Sequence, residues 1–255
     1  FIGAVGDDAL GRLAASSLAA AGAPTGGISE KRGAATFVYV SAAAVAMDDR
    51  GTPLSLIDET APTHPDSFSG YIASKARAET AVLAANQAGF RTIALRPPAI
   101  WGPGGPFSRQ IPHAIESGQF AFVARGDYPT STIHVDNVVE AILCALERGA
   151  GGRPYFISDR DVITFRDFVA AHAQVGGLST DGVRSIPYRV AFTLGHVMEI
   201  VAALRHSADD PPLSRTMIRL IGRQFTIDDS AARRELGYTA AMTRAEGTAQ
   251  LSPTG

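Results

Sequence analysis

The sequence has a single cysteine in 255 residues, Cys144. One thiol excludes an intramolecular disulfide and a zinc site built on several thiolates. Neither sign of charge dominates: 23 Lys and Arg face 25 Asp and Glu, for a formal net charge of −2. That balance offers no electrostatic footing for nucleic acid or an anionic membrane surface. No apolar run approaches the roughly 20 residues of a membrane span, and no signal peptide is visible, so membrane contact is not expected and a cytoplasmic location is. Repeats and low-complexity tracts are missing too. So is a complete glycine-rich phosphate loop. Phe1-Ile2-Gly3-Ala4-Val5-Gly6 carries two glycines, without a preceding strand or the Gly-x-x-Gly-x-x-Gly run that lets backbone approach a phosphate at a helix N-terminus.

What is present is a chain with 45% hydrophobic and 19% charged residues, long enough for a sizeable core in one or two closely packed domains. Cys144 sits in the apolar run 141–146, which predicts a buried thiol. The most informative stretch is Ser69-Gly70-Tyr71-Ile72-Ala73-Ser74-Lys75 at the start of a predicted helix. Positions i and i+4 share a helix face, so the Lys75 ammonium is placed to reach the Tyr71 hydroxyl region. A phenol ionises near pH 10 on its own; a neighbouring cation favours the phenolate and brings it toward the working range of an acid or base. No cluster of metal ligands accompanies the pair. The helix starts at Ser67 or Ser69 as N-cap and runs to about Asn86, with Gly89 closing the unit.

Upstream, Thr36-Phe37-Val38-Tyr39-Val40-Ser41 reads as a buried strand; downstream, Thr92-Ile93-Ala94-Leu95-Arg96 reads as another, closed by Pro97-Pro98. Strand, helix, strand is a βαβ unit, and ligands of open parallel sheets bind outside the carboxyl ends of the strands.

Phe37-Val38-Tyr39-Val40-Ser41, Tyr71-x-x-x-Lys75, Leu95-Arg96-Pro97-Pro98-Ala99-Ile100-Trp101-Gly102-Pro103-Gly104 and Ile133-His134-Val135-Asp136-Asn137, in that order, resemble the extended short-chain dehydrogenases/reductases. Within that superfamily the chain is similar to the NAD-dependent epimerase/dehydratase and 3β-hydroxysteroid dehydrogenase-like branch. The resemblance implies an α/β protein: a Rossmann-like parallel sheet whose N-terminal strands are not visible in the chain, and a smaller C-terminal α/β lobe. Residues 1–105 would be a partial dinucleotide-binding domain and 106–255 mainly substrate-binding. The opening segment is expected to follow the family's fourth strand, with Asp8 to Gly22 forming the next helix and Ala23 to Gly33 a loop.

The resemblance further implies NAD or NADP as cofactor, a small-molecule substrate and a homodimer. Tyr71 would be the catalytic acid or base. Lys75 would lower its pKa and hydrogen-bond the nicotinamide ribose. Pro98, Ala99 and Ile100 would hold the nicotinamide carboxamide through their backbone, with Trp101 lining the pocket or filling core. Ser41 is the candidate catalytic hydroxyl, but counting back from Val45 puts Ala42 where that hydroxyl usually stands, so Ser41 serves only if the strand has already turned into loop. The expected activity is NAD(P)-dependent interconversion of a secondary alcohol and a ketone, on a steroid-like or other apolar substrate. A sugar-nucleotide epimerase or dehydratase with retained NAD, and a non-catalytic ligand- or partner-binding relative, are the alternatives.

In the rest of the chain, the long link from Met47 to Ser69 reads as a loop over the substrate cleft. Phe107 to Ser117 is a predicted helix and Phe120 to Val123 a strand. A helix ending near Arg148 is expected to be capped by Asp136, with His134 as a structural group. Tyr155 to Ile157 is a short strand, Thr164 to Asp167 open a helix with a variant of the capping box, and Tyr188 to Leu204 is an apolar helix. Its Val190, Leu194, Val197 and Val201 face either packs on the lobe or meets lipid or a steroid-like substrate. Residues Thr226 to Ser230 cap a helix, Ala231 to Leu236, closed by Gly237, and this too resembles the family's C-terminal segment.

Overall fold

The computed structural model describes residues 3–5, 28–30, 35–204 and 214–251. In chain order the elements are β1 (Gly3–Val5), β2 (Ile28–Glu30), β3 (Ala35–Val40), β4 (Leu54–Ile57), α1 (Gly70–Ala84), β5 (Phe90–Arg96), β6 (Ala99–Trp101) and α2 (Pro106–Glu116). Then come β7 (Phe122–Val123), β8 (Pro129–Thr130), β9 (Thr132–His134), α3 (Val135–Arg148), β10 (Arg153–Phe156), β11 (Ile163–Thr164) and α4 (Phe165–Val175). The chain closes with β12 (Ser185–Ile186), α5 (Tyr188–Leu204), α6 (Arg215–Ile221), β13 (Phe225–Ile227) and α7 (Arg244–Ala249). The helix expected from Asp8 to Gly22 lies outside the described residues, and β2 falls inside the stretch expected to be loop. The link from Met47 to Ser69 likewise contains a strand, β4.

Two compact units interleave along the chain. One comprises residues 1–100, 131–160 and 227–243, the other 101–130, 161–226 and 244–255. A single boundary near residue 105 therefore describes only the first of several crossings.

The first unit is built on a parallel sheet in the order β10-β5-β3. The middle strand, Phe-Arg-Thr-Ile-Ala-Leu-Arg, is buried over nearly its whole length, because helices or loops cover both faces of a parallel sheet. On one face Val38, Ile93, Leu95 and Tyr155 pack against Val138, Ala141, Ile142 and Ala145 of α3; on the other Phe37, Tyr39, Phe90 and Ala94 pack against Ala78 and Val82 of α1. Cys144 is half-buried at the edge of the first core rather than enclosed in it, its sulfur accepting a hydrogen bond from Arg148 at 3.4 Å.

The cap of α3 differs from expectation. His134 Nδ1 accepts the Asp136 N–H at 3.2 Å, so the imidazole caps the helix and Asp136 does not. Buried Asp159 braces this corner, accepting from Thr132 Oγ1 at 2.9 Å, His134 N–H at 2.8 Å and Asn137 Nδ2 at 2.9 Å. Three hydrogen bonds to one carboxylate offset the cost of burying it.

The second unit has an aromatic core. Trp101, 2% exposed, meets Phe168 and His172 edge-on with ring centres 6.3 and 5.8 Å away, so it fills core. His172 is anchored by a 2.9 Å contact from Nδ1 to the Phe168 carbonyl. Burial, with the nearby Arg244 charge, holds its imidazole below the ordinary histidine range despite the opposing pull of the Phe168 carbonyl. The predicted variant of the capping box takes this form: Thr164 Oγ1 accepts the Asp167 N–H at 3.1 Å, and the Asp167 carboxylate takes the Thr164 hydroxyl at 2.6 Å rather than its backbone N–H. On α5 the face of Val190, Leu194, Val197 and Val201 is between 39% and 50% exposed, not packed on the lobe.

Candidate active site

Three chain segments of the first unit meet at the carboxyl end of its sheet: the ends of β3 and β5 and the first turns of α1. Ser69 opens α1 as N-cap, its hydroxyl accepting from the Ile72 N–H at 3.4 Å. This fixes the pitch at which Tyr71 and Lys75 leave the helix.

Lys75 Nζ donates to the Val40 carbonyl at 2.9 Å and sits 5.2 Å from the centre of the Tyr39 ring. Burial pushes its ammonium below the ordinary lysine range. Tyr71 keeps half of its surface exposed, and burial raises its phenol above the ordinary value. The expected depression of the phenol by Lys75 is thus not found. The ammonium is committed to a backbone carbonyl, and desolvation of the phenolate governs Tyr71. A phenol in this state is protonated at neutral pH, the form a proton donor requires.

Ser41 fails the condition set by its register. Its N–H still donates to the Leu95 carbonyl at 2.8 Å, and Ala43 N–H donates to the Pro97 carbonyl at 2.8 Å, so the ladder continues past β3. The strand assignment stops at Val40 because Pro97 has no N–H to return to the Ser41 carbonyl. Ala42 is extended, with φ −156° and ψ 144°. By alternation Ser41 shares the α1-facing side with Phe37 and Tyr39. It is 3% exposed, and its hydroxyl has no hydrogen-bond partner among the described residues. Pro98 and Ala99 are half-buried and Ile100 is exposed; Ala99 and Ile100 belong to β6, which pairs with β9 instead of forming a plain turn.

Sequence reading missed a buried ion pair beneath these groups. Arg96 Nε lies 3.1 Å from both Glu79 oxygens and Nη2 lies 2.6 Å from Oε1, with side chains 4% and 3% exposed. A fork this regular joins the last residue of β5 to the middle of α1. The signal was present: Tyr71, Lys75 and Glu79 follow at i, i+4 and i+8 along one stripe of α1.

A parallel sheet with a Tyr-x-x-x-Lys helix entering at its carboxyl edge is the arrangement of the extended short-chain dehydrogenases/reductases. Residues 28–188 match the 3-beta hydroxysteroid dehydrogenase/isomerase family, and the chain belongs to that family. It is 40% identical over 220 residues, 86% of this chain and 65% of the relative, to a 4-hydroxy-2-methyl-3-oxo-4-farnesyl-3,4-dihydroquinoline-1-oxide ketoreductase of Stigmatella aurantiaca. It is 32% identical over 199 residues, 74% of this chain and 59% of the relative, to a 2-alkyl-3-oxoalkanoate reductase of Stenotrophomonas maltophilia. Among solved structures, that of gox2253 superposes with a TM-score of 0.61 at 25% identity, over 85% of this chain and 64% of that one. The chain therefore spans less than two thirds of the length of each of these proteins.

Proposed function

We propose that the protein is an NAD(P)-dependent ketoreductase that converts a carbonyl on an apolar small molecule to a secondary alcohol, and runs the reverse oxidation. The observation that carries this reading is the protonated, half-exposed Tyr71 one helical turn from Lys75, at the open end of the parallel sheet. The names of the relatives, a ketoreductase and an oxoalkanoate reductase, support a ketone as the reacting group.

The described residues suit the nicotinamide and ribose end of a dinucleotide. Lys75 spends one N–H on Val40 and has two more for ribose hydroxyls. The backbone of Pro98 to Ile100 follows directly on the end of β5 and would hold the carboxamide. The cofactor, when bound, supplies or receives hydride. Tyr71 then donates its proton to the carbonyl oxygen as the negative charge develops there, and in the reverse direction its phenolate takes the alcohol proton. Lys75 favours that phenolate by its charge once the hydroxyl has been released. We assign Ser41 to the buried side of the sheet rather than to substrate, and leave the position of the usual hydroxyl to Ala42. The cytoplasm, which holds reduced nicotinamide cofactors, is the proposed compartment.

The test is equilibrium titration of the full-length protein with NADH and NADPH, followed by turnover on 2-alkyl-3-oxoalkanoates. Saturable binding of one cofactor with its stoichiometric oxidation on ketone addition is the expected result. Absence of saturable binding would assign the chain to a non-catalytic role, for which Ala42 is the specific observation. Bound cofactor that is never released as product would assign it to epimerase or dehydratase chemistry.

A further inference from the structure

Glu79 stands one helical turn beyond Lys75 on the same stripe of α1. Residues spaced i, i+4 on a helix lie about 6 Å apart at Cβ, within ion-pairing reach of long side chains. In a buried setting such a carboxylate would capture the ammonium, since removing charge from water makes an available counter-ion more valuable. Yet Lys75 donates to Val40 and lies over Tyr39, while both Glu79 oxygens are taken by Arg96. Arg96 comes from another element, the end of β5, and the cation–π contact at 5.2 Å to Phe156 holds its guanidinium in place.

We propose that Arg96 is a positioning residue: by holding the Glu79 carboxylate on the strand side of α1, it leaves the Lys75 ammonium on the Val40 carbonyl, with N–H groups free for cofactor. Burial is what lowers the Lys75 ammonium below the ordinary lysine range, and the Glu79 carboxylate has both oxygens on Arg96. The residue that closes the nicotinamide segment, one position before Pro97-Pro98, is thus also the residue that disarms the competing carboxylate. The inference rests on the reading of Lys75 as the group that serves cofactor and Tyr71.

The chain has two lysines, Lys31 and Lys75. Titration of lysine labelled with carbon-13 at Cε, assigned by the signal lost in Lys75→Arg, therefore reports this ammonium without recourse to activity. Arg96→Met frees Glu79. It is expected to raise the Lys75 midpoint by about one pH unit or more, the size of an adjacent opposite charge. Cofactor affinity and kcat are expected to fall about tenfold, the factor that accompanies one unit. The double variant Arg96→Met/Glu79→Gln removes the competitor and should return the Lys75 midpoint and kcat to within about threefold of the parent.

A structural role alone predicts the opposite order, with the double variant no better than the single one. An unmoved Lys75 midpoint in Arg96→Met overturns the proposal, as does failure of the double variant to restore it. Should Arg96→Met fold poorly, Arg96→Lys provides the same comparison: a point charge that cannot fork both Glu79 oxygens should give a smaller rise, again reversed by Glu79→Gln, and no rise overturns the proposal. If the Lys75 signal responds as described while Tyr71→Phe keeps full turnover, the guard stands and the catalytic assignment falls.

Discussion

Replacement of Tyr71 by Phe separates chemistry from stability unusually well in this fold. The residue is in the first turn of α1 with half its surface exposed, and the substitution preserves its ring. Loss of one hydroxyl at such a position should leave the unfolding free energy within about 0.5 kcal/mol of the parent. Its effect on turnover is set by a different quantity. A positioned general acid contributes a factor of about 100 to 10,000, and at 1.36 kcal/mol per decade this is roughly 3 to 5 kcal/mol of transition-state free energy. The ratio of the two effects is the signature. In steady-state assays with the preferred cofactor and a 3-oxoalkanoate, kcat should collapse while the denaturant midpoint stays put. The pH dependence adds a sign. Because burial raises the phenol, reduction should be insensitive to pH around neutrality and decline only in alkali, whereas alcohol oxidation should climb with pH as phenolate forms. A variant retaining more than about a tenth of parental kcat would refute a proton-donor role, since that loss is smaller than general acids supply.

Other consequences can be checked on the same protein. His172 stays neutral in the folded second unit because burial and Arg244 depress its pKa, whereas the unfolded chain takes up a proton below about 6.5. Its contribution to stability is therefore complete above that pH and shrinks as pH falls, and denaturant midpoints measured from neutral pH to pH 5 should converge with those of His172→Phe, which lacks this titration. Equal acid slopes for the two proteins would contradict the assignment. Trp101→Ala should cost about 3 to 5 kcal/mol in chemical denaturation, because the ring fills core at 2% exposure; a loss below about 1 kcal/mol would place it at a pocket wall. Gly149→Ala should destabilise by about 1 to 3 kcal/mol, because the added Cβ would lie 2.4 Å from Ile93 Cδ1 and 2.6 Å from the Ala145 carbonyl oxygen. A neutral result by calorimetry would show that the turn can yield. Ser69→Ala should cost about 1 kcal/mol of helix stability through the lost cap, read as a lower melting temperature.

Features set by local periodicity were readable from residues alone. The β-branched run of β3, the N-cap and extent of α1, the capping box of α4 and the bounds of α5 all follow from nearest-neighbour chemistry. Features set by two distant segments were not. Whether Ser41 points to ligand or to helix depends on how far the β3–β5 ladder runs, and that is decided by donors opposite Leu95 and Pro97. The depression expected for the Tyr71 phenol presumed that an i+4 ammonium would turn to it, and the competing Val40 carbonyl arrives from a strand 35 positions earlier in the chain. His134 outcompetes Asp136 as cap because its ring is already fixed in the core, whereas the Asp136 side chain is half exposed. The Glu79–Arg96 fork joins residues 17 apart that carry no local pattern of their own.

Pro97 takes one rung out of the seam between β3 and β5 without parting the strands. With an ordinary residue there, an N–H could return to the Ser41 carbonyl; the pyrrolidine ring has none to give. Its own carbonyl still receives the Ala43 N–H, so the two chains stay side by side beyond the gap. One missing hydrogen thus ends the regular strand while the backbone stays tethered for two residues more.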